Sequence, residues 1–180
     1  MGKIEKVVWE YVQSVLLAIV LALFIITFVV QSFIVTGPSM EPTLYSGERL
    51  LINKFIFRFT EPLRGNIVVF HPQARPREDY IKRVIAVAGE TVEIRDGKVW
   101  VDGTPLSEPY IKEPTYGQFG PVRVPRGKIF VLGDNRNNSQ DSRYQEVGLV
   151  SLKSVIGKAS LRYWPLHRVR ALNLPGEVKP

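Results

Sequence analysis

No charged residue occurs between Tyr11 and Met40, and no other feature limits the fold of this chain as tightly. Val15 to Val30 (VLLAIVLALFIITFVV) is apolar apart from Thr27. A helix that crosses the roughly 30 Å hydrocarbon layer of a bilayer needs about 20 mostly apolar residues, and Val12 to Phe33 supplies them. Trp9 and Tyr11 at one end and Phe33 at the other suit the interfacial belts, with Gln13, Ser14, Gln31 and Ser32 near headgroup depth. A cleaved leader has a shorter apolar stretch followed by a small-residue cleavage site, whereas this run ends in Phe33-Ile34-Val35. A buried helix of a soluble domain would carry a polar stripe. The expectation is a retained anchor over 12–33. It follows a short cytoplasmic N-terminus over 1–11, holding Lys3 and Lys6, and precedes an extracytoplasmic domain over 34–180.

That domain reads as mainly antiparallel β. Asn66–Phe70, Tyr80–Ala88, Thr91–Arg95, Lys98–Val101 and Lys128–Leu132 are short and rich in β-branched or aromatic residues. Asp96-Gly97, between two of them, supplies the positive φ angles of a tight hairpin turn, and Asp102-Gly103 repeats the signal. Residues 108–125, with their Gly, Pro and Tyr content, are expected to form a surface excursion or small subdomain. Phe55, Phe57 and Phe59 alternate as one face of a strand would, and with Trp164 they are candidates for core packing or bilayer contact.

Composition narrows the chemistry. The absence of cysteine removes disulfides, thiolate metal sites and a cysteine nucleophile. A net charge of +7 suits nucleic acid or anionic headgroups, and with no nucleic-acid motif and a candidate anchor, lipid is the expected partner. His71 and His167 lie in proline-flanked segments without the neighbours of a catalytic triad, and they do not form a metal pair. No metal or other cofactor is expected.

Three segments remain. In Phe33-Ile-Val-Thr-Gly-Pro-Ser-Met-Glu-Pro-Thr-Leu44, glycine and prolines fix a turn that exposes the Ser39 hydroxyl and N–H. In Asp79–Gly89, strand alternation puts Lys82 on one face with Tyr80, Val84, Ala86 and Ala88. It puts Arg83 on the other, each as the only charge of its face. A lysine buried among apolar groups loses proton affinity and becomes a usable general base. The third segment, Gly133-Asp-Asn-Arg-Asn-Asn-Ser-Gln-Asp-Ser-Arg-Tyr144, is dense in side chains that brace tight loops. Ser139 offers an acceptor for the lysine, and Asp141 and Arg143 can pair.

Together GPSMEPTL, DYIKRVIAVAGETV and GDNRNNSQDSRY resemble the motifs of the bacterial type I signal peptidase family, in the same order after a span. The resemblance implies a membrane-bound serine endopeptidase that removes signal peptides from exported preproteins, cutting after small Ala-X-Ala-type residues. It implies Ser39 as nucleophile, Lys82 as general base, Ser139 as the lysine-orienting serine, and Asp141–Arg143 as structural support. Phe33, Val35, Met40, Leu44, Tyr80 and Ile81 are implied to line the substrate pockets. It also implies signal peptides, the lipid bilayer and nearby translocation machinery as partners, in a bacterial cell membrane with the N-terminus cytoplasmic. Some members carry a serine two residues before the nucleophile as an oxyanion donor. Here that position is Gly37, which leaves the Ser39 N–H, with the Gly37 backbone or Thr36 as the second donor. Two rivals differ in class: a self-cleaving repressor, which would carry a DNA-binding segment where this chain has its apolar run, and a non-enzymatic, membrane-tethered β binding module.

Overall fold

A computed structural model of the protein describes residues 2–24 and 30–172. Helix α1 (Lys3–Phe24) is 22 residues long, about 33 Å at 1.5 Å per residue. Its Lys6–Leu23 stretch is apolar enough to cross a bilayer, and none of that stretch is buried. Residues 25–29 of the expected 12–33 span lie outside the described residues.

The end of that expected span is not helical. Val30–Ile34 is strand β1, paired antiparallel over all five residues with β2 (Arg49–Asn53). Apolarity alone does not distinguish the last turns of an anchor from a β-branched strand, and here the partner strand decides.

The remaining strands are β3 (Ile67–Phe70), β4 (Tyr80–Ala86), β5 (Thr91–Arg95), β6 (Lys98–Val101), β7 (Thr104–Pro105), β8 (Phe119–Arg123), β9 (Lys128–Leu132), β10 (Val150–Ser151), β11 (Val155–Trp164) and β12 (Arg170–Ala171). The main sheet runs β1-β2-β11-β3-β4-β9-β10, with β12 added to β11, and the second sheet runs β7-β6-β5-β8. The second sheet is spliced between β4 and β9, which are neighbours in the first. Its Val92, Ile94, Val99 and Val101 pack in one core with Ile85, Ala86, Phe130 and Leu132 of the main sheet. The expected mainly antiparallel β domain is therefore present.

Both Asp-Gly turns form as the sequence requires. Asp96, Gly97, Asp102 and Gly103 all have positive φ, which joins β5 to β6 and β6 to β7 in two-residue hairpins.

Three expectations change. The 108–125 excursion contains β8, which pairs with β5. Gly120 and Pro121 disguise it, and they are tolerated because β8 is an edge strand. Strand β4 stops at Ala86, where the Val87 N–H bonds Glu90 Oε2 (2.8 Å) instead of a ladder carbonyl. The phenylalanines are not a strand face: Asn53 Oδ1 accepts the N–H groups of Phe55 and Ile56 (2.9 and 3.0 Å) and nucleates one 3₁₀ turn over Ile56–Arg58. Phe57 packs against the core cluster of Val68, Phe70 and Val84, while Phe55 and Phe59 stack edge-on at the surface.

The topology also sets direction. Strand β4 is four antiparallel steps from β1 through β2, β11 and β3, so the two run the same way. Both begin at the same end of the sheet, the end the chain reaches from α1.

Candidate active site

The segment after β1 turns sharply. Gly37 has φ +81°, a left-handed conformation that suits glycine, and the Glu41 N–H bonds the Pro38 carbonyl at 3.0 Å. Ser39 sits half-exposed at the head of this turn. Met40 and Leu44 point inward, closed by a Leu44 N–H to Met40 carbonyl bond of 2.9 Å.

Lys82 comes to this turn from β4. Its cross-strand neighbour is Val68, and it is 4 % exposed. Its Nζ donates to Ser39 Oγ at 2.8 Å and to the Ile81 carbonyl at 3.0 Å, 5.3 Å from the centre of the Tyr80 ring. Burial lowers the amine pKa from 10.5 to about 8, with Asp141 and then Asp134 pulling the other way. Desolvation wins because neither carboxylate bonds the amine and both are already held by arginines.

Those arginines organise the 133–143 loop. Arg83 Nε and Nη2 bind both oxygens of Asp134 (2.8 and 2.7 Å), with both side chains fully buried. Arg143 grips Asp141 at 2.8 and 2.9 Å and also donates to the Arg136 carbonyl. Arg136 pairs with Glu108 at 2.5 and 2.7 Å. Tyr110 covers the Arg83 guanidinium at 4.0 Å. Glu108 and Tyr110 thus tie the excursion to the loop beside Lys82.

Ser139 is buried on the same loop, and its Oγ has no hydrogen-bond partner among the described residues. The expected bond to Lys82 is absent in this structure, where Nζ donates to Ser39 Oγ and the Ile81 carbonyl instead. Ser139 and the Ser39 carbonyl both lie against Gly133, where an added Cβ would collide with each.

A groove of about 730 Å³ opens over Ser39 and Lys82 between β1 and the start of β4. Of the implied pocket residues, Phe33, Tyr80 and Ile81 line it. Val35, Met40 and Leu44 do not. They are core residues, 0–2 % exposed, that pack behind Phe33 and Ile81. Gln31, Ser32, Ile34, Thr36, Glu78, Asp79 and Gln140 complete the lining. The sequence points to none of these as pocket residues, and to Thr36 only as a candidate oxyanion donor. Gln140 accepts a bond from Tyr80 Oη at 3.2 Å.

The family model described as signal peptidase, peptidase S26, matches residues 8–164. The chain belongs to that signal peptidase family. As a member of the S26 signal peptidases it is a serine peptidase. It is 42 % identical over 180 residues to signal peptidase I of Leptolyngbya laminosa, covering 96 % of this chain and 88 % of that one. It is 37 % identical over 171 residues to signal peptidase I P of Bacillus subtilis subsp. natto, covering 89 % and 91 %. A crystal structure of a signal peptidase I from Enterococcus faecalis aligns at 36 % identity with a TM-score of 0.49, over 56 % of this chain and 98 % of that one.

This S26 peptidase holds two residues that the sequence reading left without a role. Arg83 is the sole charge on its strand face, and its partner Asp134 lies 51 positions away. Asn135 was indistinguishable from Asn137 and Asn138 in a polar run. It is the residue that touches the Ser39 turn, bonding the Ser39 carbonyl through its N–H (3.0 Å) and the Pro38 carbonyl through Nδ2 (3.1 Å).

Proposed function

We propose that this chain is a membrane-anchored endopeptidase that removes signal peptides with a Ser39–Lys82 dyad, cutting after small Ala-X-Ala-type residues. The observation that carries the reading is the 2.8 Å approach of a buried, easily deprotonated amine to the hydroxyl of a turn. Once Lys82 is neutral, the Ser39 O–H donates to Nζ along this contact. Oγ attacks the scissile carbonyl carbon as its proton passes to Nζ. The C–N bond then breaks and Lys82 returns the proton to the leaving amine. Water, deprotonated by Lys82, releases the acyl group and restores Ser39. Ser139 stands ready to accept from the amine when substrate reshapes its contacts, and the Asp141–Arg143 pair holds that serine's loop.

Substrate direction follows from the groove. Gln31 and Asp79 mark its far end, where β1 and β4 both start, and Ser39 marks the other. A signal segment rising from the bilayer enters at the α1 side and reaches Ser39 extended, pairing by backbone with a groove wall. Phe33, Tyr80 and Ile81 limit the side chains it can present. The anchor includes the Lys6–Leu23 stretch of α1 and ends before β1, with the N-terminus cytoplasmic and the β domain outside a bacterial cell membrane. Its partners are preproteins, lipid and the nearby translocation machinery.

The test is cleavage of one preprotein carrying an alanine-X-alanine site. Wild type is expected to cut it, while Ser39→Ala and Lys82→Ala, each folded by circular dichroism, lose at least about 1000-fold in rate. Normal cutting by either variant would exclude the dyad.

A further inference from the structure

The Pro38–Ser39 peptide is unusually well held on its carbonyl side. Pro38 O accepts from the Glu41 N–H at 3.0 Å and from Asn135 Nδ2 at 3.1 Å, and the next carbonyl, Ser39 O, accepts from the Asn135 N–H at 3.0 Å. One residue of the 133–143 loop therefore grips two successive carbonyls of the turn that bears Ser39. Cis peptide bonds among the described residues precede only Pro42, Pro121 and Pro165, so the Pro38–Ser39 peptide is trans. In a trans peptide, C=O and N–H point in opposite directions across one rigid plane. With the carbonyl fixed on Asn135, the Ser39 N–H points the other way. No acceptor is bonded to it among the described residues, and it belongs to the residue that lines the groove end.

We propose that Asn135 is a positioning residue for the oxyanion site, aiming and polarising the Ser39 N–H through the Pro38 carbonyl. The proposal rests on the assignment of Ser39 as nucleophile. Two properties of this chain give the aim unusual weight. Position 37 is a glycine, so no side-chain hydroxyl two residues before Ser39 shares the developing charge. The neighbouring Gly37 N–H already leans on Ser46 Oγ at 3.4 Å. A carbonyl that accepts two hydrogen bonds also makes the N–H of its own peptide a stronger donor. The Glu41 bond fixes the turn, and Asn135 Nδ2 adds the second donor and ties the peptide to the loop that carries Ser139.

The experiment uses full-length protein in detergent with a fluorogenic Ala-X-Ala peptide and a peptide aldehyde ending in alanine, whose adduct with Ser39 carries an oxygen in the oxyanion position. Asn135→Ala is expected to lower kcat about 10- to 100-fold, short of the roughly 100- to 1000-fold of deleting an oxyanion donor outright. KM, the pH midpoint and the melting temperature are expected to stay near wild type. Affinity for the aldehyde should fall in step with kcat, while that for the corresponding non-electrophilic amide should not. Asn135→Gln, which keeps the amide, is expected to recover part of the loss. Unchanged kcat, a rise in KM alone, a moved pH midpoint, or a loss that tracks unfolding in both variants would overturn the proposal. Ser39→Ala serves as the separate control: if it still cuts, the nucleophile assignment fails, whereas a dead Ser39→Ala beside an unimpaired Asn135→Ala removes only the role of Asn135.

Discussion

Lys82 and Arg83 are adjacent in β4 and both buried, yet they meet opposite fates. Arg83 has a bidentate carboxylate and stays charged, while Lys82 has only a hydroxyl and a carbonyl and is eased toward neutrality. The rate should therefore rise about tenfold per pH unit below a midpoint near 8 and level above it, as a pH–rate profile with a short peptide would read. Stability follows the same group. The amine binds its proton near 10.5 when unfolded and near 8 when folded, so between these values the unfolded chain holds more protons and stability climbs with pH. Below 8 the full cost of burying the ammonium is present, on the order of 3 kcal/mol. Lys82→Met should abolish cleavage and yet raise stability at pH 7 by up to that order, measured by denaturant unfolding. The burial of Lys82 was legible in sequence because its strand face held no other charge. The roles of Asn135 and Asp134 were not, because each depends on a partner brought close only by the fold.

Among the elements, the 133–143 loop is tied to the Ser39 turn through Asn135 and to β4 through Asp134. Gly133 sits so close to the Ser39 carbonyl and to Ser139 that no side chain fits. Gly133→Ala is expected to displace both, with a kcat loss of about 100-fold or more for a shift near 1 Å and a stability loss of about 1–3 kcal/mol from overpacking, read by peptide kinetics and thermal melts. The strands show what a sequence displays and what it conceals. Thr91–Arg95, Lys98–Val101 and Lys128–Leu132 are bounded by turn residues and match the structure end to end. Strand β11 escaped notice although it is the longest. Its register shifts against both β2 and β3, so its burial never alternates cleanly. Strand β1 was hidden by its apolar neighbours, and β8 by a glycine and a proline.

At the scale of the molecule, the helix and the β domain divide the work. No part of the apolar stretch of α1 is buried against the sheets. Deleting residues 2–24 should leave the melting temperature and the turnover of a soluble peptide within about twofold of wild type. Cutting of a bilayer-inserted preprotein should fall at least tenfold, because tethering raises the effective concentration of the partners. Liposome and solution assays run side by side would separate the two effects. The pairing of β3 with β4 carries one more consequence. Val68 faces Lys82 and Ile67 faces Arg83, and a one-residue slip would exchange the faces of these two cations. A permanently charged guanidinium would then confront Ser39, and such a chain would be hydrolytically silent. Proteolytic competence thus arrives only with the correct register of β3 against β4.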